Sequence, residues 1–219
     1  MSAEPHPFAA LFPHEPALRL RDPLAEFLGT VAPGAVIEYT FGDVVRMAGH
    51  ACPTVAGAWL VTVSALRALY GAAAPVRGEI TVACMGGPGQ FGYGPMAQVI
   101  ANITGAAPET GFRGVAGRFR RAGLLTFHPE SPALRTFVFR RTDNGQGVRV
   151  TYDPDGVPGE PRLPELMSAA LHGDATAGAA FRAAWTSRVA GVLAAGARLV
   201  TVEPVAGAEA GLPERSGPA

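Results

Sequence analysis

Between Val55 and Tyr70, apolar side chains recur at helical spacing: Val55, Trp59, Val63, Leu66 and Tyr70. Cys52-Pro53 stands in front of them and Gly71 behind. Proline fits the first helical turn, and glycine fits the C-terminal stop, so the pattern predicts a long helix opening at Pro53. Asp22-Pro23 predicts a shorter helix of the same construction, ended by Gly29. Thr40, with Asp43 three residues on, caps a helix through Met47. Pro95 starts another helix, with Met96, Val99, Ile100 and Ile103 on its apolar face and Gly105 at its end. Leu163 to Leu171 and Gly178 to Ala194 complete the helical set. Period-two or continuous apolar runs predict strands at Val36–Thr40, Gly78–Cys84, Leu124–Phe127, Thr136–Arg140, Val148–Tyr152 and Arg198–Val202. Asp143-Asn144-Gly145 is a hairpin turn joining the fourth and fifth of these, which makes that pair antiparallel.

Helices and strands are intermixed and one hairpin is plainly antiparallel. The fold class expected is therefore α+β, a mixed or antiparallel sheet packed with helices. The chain of 219 residues suits one domain, with nearly half its residues hydrophobic. The domain is expected over 17–203, with 1–16 a flexible arm rich in proline and histidine and 204–219 a disordered tail of Gly, Pro, Ala and Glu.

Charge and composition narrow the function. Formal net charge is zero, so nothing drives the chain toward DNA, RNA or an anionic membrane. The 18 basic residues are all arginine. A lysine Schiff base and a Walker A lysine are both excluded. The opening residues do not read as a signal sequence, and the run from Val55 to Tyr70 is interrupted by Arg67 and too short to span a bilayer. The expected setting is cytoplasmic, with reduced thiols.

Three clusters could carry chemistry. His50-Ala51-Cys52-Pro53 puts a cysteine at a helix start, where unpaired N–H groups and the dipole favour thiolate over thiol. A histidine two residues earlier makes a soft N/S pair suited to zinc, iron or copper. The plainer reading is a half-buried cysteine cap beside a loop histidine. Cys84 ends a strand at the mouth of a glycine-rich loop, where sites are commonly built, although free cysteine is also among the most buried residue types. The loop itself, Met85 to Gly94, lacks the spacing of a dinucleotide fingerprint. It reads either as a tight surface turn or as a pocket lining, with Tyr93 and Gln98 as polar candidates. His128 precedes a proline at a strand end and could enter a site. Gly117-Arg118-Phe119-Arg120-Arg121 reads as a solvated face or a set of ion pairs rather than a nucleic-acid site.

Several of these features occur together in one known family. They are Gly49-His50-Ala51-Cys52-Pro53 opening a small-residue helix, the strand closing at Cys84, the helix holding Gln98 and ending at Thr104-Gly105, and the strands near Leu124 and Phe137. On them the chain resembles the FmdE-like family, named for a component of formylmethanofuran dehydrogenase. The resemblance covers about Met47 to Phe139. It implies an α+β core, a homodimer, and a cavity in which His and Cys bind a metal. Carried over, it points to His50 and Cys52 as metal ligands and to Cys84 and Gln98 beside them. Family members usually have a second histidine where this chain has Ala48, and a glycine where it has Thr54. No cysteine follows Cys84, so the zinc finger many members carry is not in this chain.

The expected function is accordingly a metal-binding protein with a His50/Cys52 centre, a redox or hydrolytic enzyme acting on a small molecule. Zinc is first among the metals, and iron or haem on the same centre is a variant. A metal-free thiol enzyme, with Cys52 as nucleophile and His50 as base, is the alternative. A non-catalytic binding module is the third.

Overall fold

The structure, a computed structural model, describes residues 17–130 and 133–205. The expected arm, and the tail beyond Val205, lie outside the described residues. Helices are α1 (Pro23–Phe27), α2 (Phe41–Ala48), α3 (Pro53–Tyr70), α4 (Tyr93–Thr104), α5 (Leu163–Leu171) and α6 (Ala175–Ala195). Strands are β1 (Leu18–Arg21), β2 (Val36–Tyr39), β3 (Ile80–Cys84), β4 (Leu125–Phe127), β5 (Thr136–Arg141), β6 (Gly147–Tyr152) and β7 (Val200–Val205).

The fold is α+β. Five strands form a mixed sheet in the order β4-β3-β5-β6-β7. Only β3 and β4 run parallel, and the other three pairings are antiparallel. The hairpin at Asp143–Gly145 forms between β5 and β6 as its turn residues require: Gly145 takes φ +74° and the Asn144 side chain accepts from the Gln146 N–H at 3.0 Å. β1 and β2 make a separate antiparallel ribbon.

Helix α3 lies at the centre. It packs on β6 and its neighbours and is flanked by α2, α4 and α6. This explains why Ala56, Ala58, Trp59, Val61 and Ala65 are all fully buried: a helix covered on most sides needs apolar side chains around most of its circumference, not one stripe. Among the described residues, no helix is long and apolar enough to cross a membrane.

The ribbon is locked to the core by charge. Asp22 caps α1, accepting from the Leu24 and Ala25 N–H groups at 3.0 and 3.2 Å. It also receives Arg121 at 2.6 Å and Arg77 at 3.0 Å. Asp22 and Arg121 are both buried. Burial holds the Arg121 pKa below the usual guanidinium value, and Arg77 adds to that lowering while Asp22 opposes it.

Three differences from the sequence expectation have local causes. No element is expected at β1, because four residues are too few to establish alternation. Its leucines nonetheless point inward and its arginines outward. Helix α4 begins at Tyr93 rather than Pro95. Gly92 takes the left-handed conformation (φ +83°) and reverses the chain ahead of it, and Pro95 falls in the first turn, where no intrahelical N–H is lost. Finally, β7 starts at Val200 after a 3₁₀ turn over Gly196–Leu199 and continues through Pro204 to Val205. Proline is admissible there because β7 is an edge strand.

Candidate functional site

Helix α2 stops at Gly49, whose φ of +76° reverses the chain and delivers residues 50–52 to the start of α3. Cys52 is the N-cap. Its backbone is extended, and its sulfur accepts the Val55 N–H at 3.4 Å. Cys52 is half-buried and His50 is exposed. The His50 Nδ1 lies 3.0 Å from the Ala48 carbonyl. A carbonyl oxygen can only accept, so Nδ1 carries the hydrogen, and in the neutral ring the lone pair is then on Nε2.

Two distant aromatic residues pin this loop, and the local sequence points to neither. Trp185 of α6 donates its indole N–H to the Ala51 carbonyl at 2.8 Å. Tyr152, at the end of β6, donates its hydroxyl to the Pro53 carbonyl at 3.0 Å. The Tyr152 ring lies flush on Gly57, so an added Cβ there would run into it. Burial pushes the Tyr152 phenol up to about 12; Arg135 and Arg188 oppose the shift and Cys52 reinforces it. A tyrosine ending a strand and a tryptophan on a helix are the residue types that pair an apolar body with a polar tip, but nothing local in the sequence says where those tips reach.

The other candidates stand elsewhere. Cys84 is fully buried in the core, and desolvation pushes its thiol up to about 12. Tyr93 is also fully buried. Its hydroxyl accepts the Thr136 N–H at 2.8 Å and donates toward the Ala133 carbonyl at 2.8 Å, which ties α4 to β5. Gln98 is exposed on α4. His128 is half-buried at the end of β4: its backbone N–H bonds the Cys84 carbonyl at 2.9 Å and its Nε2 lies 3.1 Å from the Thr126 hydroxyl. His50 and Cys52 thus stand two residues apart on one loop, and Cys84 and Tyr93 lie in the interior. Three glycines of the loop serve packing: a side chain at Gly86 would strike Tyr93, one at Gly94 would strike the Pro88 carbonyl, and one at Gly92 would press on Thr54, whereas Gly89 has open space beside it.

Among the described residues, no three His, Cys, Asp or Glu side chains gather closely enough to hold a metal ion. No third such side chain thus joins His50 and Cys52, and a closed structural zinc site needs four ligands. The two cysteines are free thiols, and their environments predict unequal reactivity. Native chain is expected to take up one equivalent of iodoacetamide, at Cys52, with Cys84 labelled only after denaturation. Peptide mass mapping before and after denaturant checks this, and Cys84 labelling in the native chain would contradict the burial.

No family model matches the chain, and no curated protein matches it. Among solved structures, it is similar to a tungsten formylmethanofuran dehydrogenase FmdE-like protein from Syntrophus aciditrophicus. That similarity spans 76% of this chain and 72% of the other, at 14% identity and a TM-score of 0.38.

Proposed function

We propose that the loop from Gly49 to Cys52 is an open metal centre, with His50 Nε2 and Cys52 Sγ as the protein donors and zinc as the preferred ion. The observation that carries this reading is the His50–Ala48 hydrogen bond. A histidine that ligates through Nε2 characteristically donates its other N–H to a carbonyl or carboxylate, which fixes the tautomer and aims the lone pair. Here that partner is in place on an exposed ring, two residues before a cysteine whose sulfur is held at a helix start.

Two protein donors leave positions for water or for a small-molecule substrate; they are one protein ligand fewer than catalytic zinc sites have and two fewer than structural ones. When bound, the ion would supply Lewis acidity and lower the pKa of a coordinated water. The chain's own contribution is positional. Trp185 and Tyr152 hold the carbonyls of Ala51 and Pro53, so the backbone on both sides of Cys52 is fixed before any ion arrives. A hydrolytic reaction on a small molecule is the activity this supports best. The haem variant draws no support from Gly86, Gly92 and Gly94 of the glycine-rich loop, which close on neighbouring groups.

The second reading is a metal-free thiol enzyme using Cys52. It is favoured by the Val55 N–H directed at the sulfur, the contact that stabilises a thiolate. Elemental analysis separates the two. Protein purified without an affinity metal column is expected to carry close to stoichiometric zinc, and His50→Ala and Cys52→Ala are each expected to reduce it to background. Metal-free wild-type protein with a Cys52 that alkylates rapidly below neutral pH would give the site to the thiol reading instead.

A further inference from the structure

Helix α6 brings more than its tryptophan to the His50–Cys52 loop. Trp185 fixes the helix against that loop through the Ala51 carbonyl. Arg188 follows at i+3, one turn on and on the same side of the helix. Its guanidinium runs against Gly159, where an added Cβ would collide with it. A second arginine arrives from the sheet. Arg135 stands just before β5, and its carbonyl accepts the Tyr152 N–H at 3.0 Å. Its backbone takes φ +47°, in the left-handed region that costs a non-glycine residue strain.

The two cations converge on Tyr152, whose hydroxyl lies 3.0 Å from the Pro53 carbonyl at the start of α3. Of the charged groups acting on that phenol, Arg135 and Arg188 act most strongly, ahead of Cys52 and Asp153. Asp153 does not neutralise them. Its carboxylate accepts the Asp155 N–H at 3.0 Å, capping the turn over Pro154–Gly156, and it makes no ion pair with either arginine. Among the described residues neither guanidinium has an acidic partner, and the Arg188 Nε is buried with no hydrogen bond at all. Both side chains are half-buried, as is Cys52. Partial burial of a cation is unfavourable without a counter-charge. Two such cations beside the positive end of the α3 dipole make a region that favours an anion. The planar guanidinium fork matches the oxygens of a carboxylate or a phosphate.

We propose that Arg188 and Arg135 form an oxyanion subsite beside Cys52, which receives the carboxylate or phosphate group of an anionic small-molecule substrate. This rests on the reading of the His50–Cys52 loop as the reacting centre, through a bound ion or through the thiol, and adds the class of substrate. Alkylation of Cys52 in chelator-treated chain tests it without a metal. Iodoacetate and iodoacetamide each lose iodide to the sulfur and differ chiefly in charge. Compared with free cysteine, wild-type Cys52 is expected to shift its preference toward iodoacetate about tenfold. Arg188→Gln and Arg135→Gln should each lower the iodoacetate rate more than the iodoacetamide rate, bringing the ratio toward that of free cysteine. Arg188→Lys should keep part of the preference, and Arg182→Gln, at an exposed position of the same helix, should keep all of it. Inorganic phosphate or benzoate should slow iodoacetate selectively, and the stronger protector names the group. A preference no greater than that of free cysteine, one that survives both glutamine variants, protection by neither anion, or a Cys52 that neither reagent reaches would each overturn the proposal. Zinc content, measured in parallel, is expected to be the same in Arg188→Gln as in wild type. Zinc bound without any charge preference would overturn the substrate class alone, and a charge preference without zinc would leave the subsite standing beside a thiol centre.

Discussion

Changing Asp22 to asparagine is expected to destabilise the fold by about 3 kcal/mol. Asparagine is as good a helix cap as aspartate, so the bonds to the Leu24 and Ala25 N–H groups can survive. What is lost is the one negative charge that Arg121 and Arg77 share. Arg121 cannot move out to water, because its guanidinium lies against Gly78 and Gly105. Removing one partner of a buried ion pair leaves an uncompensated charge, and that is the costly way to break it. For a domain of this size the thermal midpoint should fall by roughly 6–12 °C. Asp22→Ala should cost about a further 1 kcal/mol, because the cap is lost too. A midpoint unchanged in Asp22→Asn would show that the two guanidiniums find other partners or water.

The second large effect is expected at Gly57, in the middle of α3. Gly57→Val places a branched side chain where the Tyr152 ring now lies. Neither side has slack: Gly57 sits in a buried helix and Tyr152 is itself 2% exposed. Overpacking of this kind costs about 2–3 kcal/mol, and displacing the phenol from the Pro53 carbonyl adds about 1 kcal/mol. The signature of this specific clash is non-additivity. Gly57→Val combined with Tyr152→Ala should be less destabilised than the sum of the single changes, because the second makes room for the first. Urea denaturation of the three variants measures this, and simple additivity would mean that the contact is not the source of the cost.

Both effects show where the sequence is readable and where it is not. The long helix α3 can be placed within a residue, because Pro53, the apolar periodicity and Gly71 are all local signals. The capping box of α2 and the hairpin at Asp143–Gly145 are legible for the same reason. The close pairing of Gly57 with Tyr152 is not, because it joins residues far apart in the chain. The same holds for the site. His50 and Cys52 announce themselves as neighbours on a short motif. Trp185 and Tyr152, which fix that motif, lie 134 and 99 residues from the carbonyls they bind. Cys84, Tyr93 and Gln98 attract notice because of where they fall relative to a glycine-rich loop. Their roles depend on which way each side chain points, and that is set by how β3 and α4 face the core.

The His50–Cys52 centre is the central claim, and cobalt(II) substitution tests it most directly. Cobalt reports its ligands by colour, and a sulfur donor adds a charge-transfer band that nitrogen and oxygen donors lack. Titrating metal-free chain with cobalt is expected to give that band with saturation near one ion per chain. The band should be lost in Cys52→Ala, lost or greatly weakened in His50→Ala, and unchanged in Cys84→Ala. A chain that binds no cobalt, or a band that survives Cys52→Ala, would contradict the account.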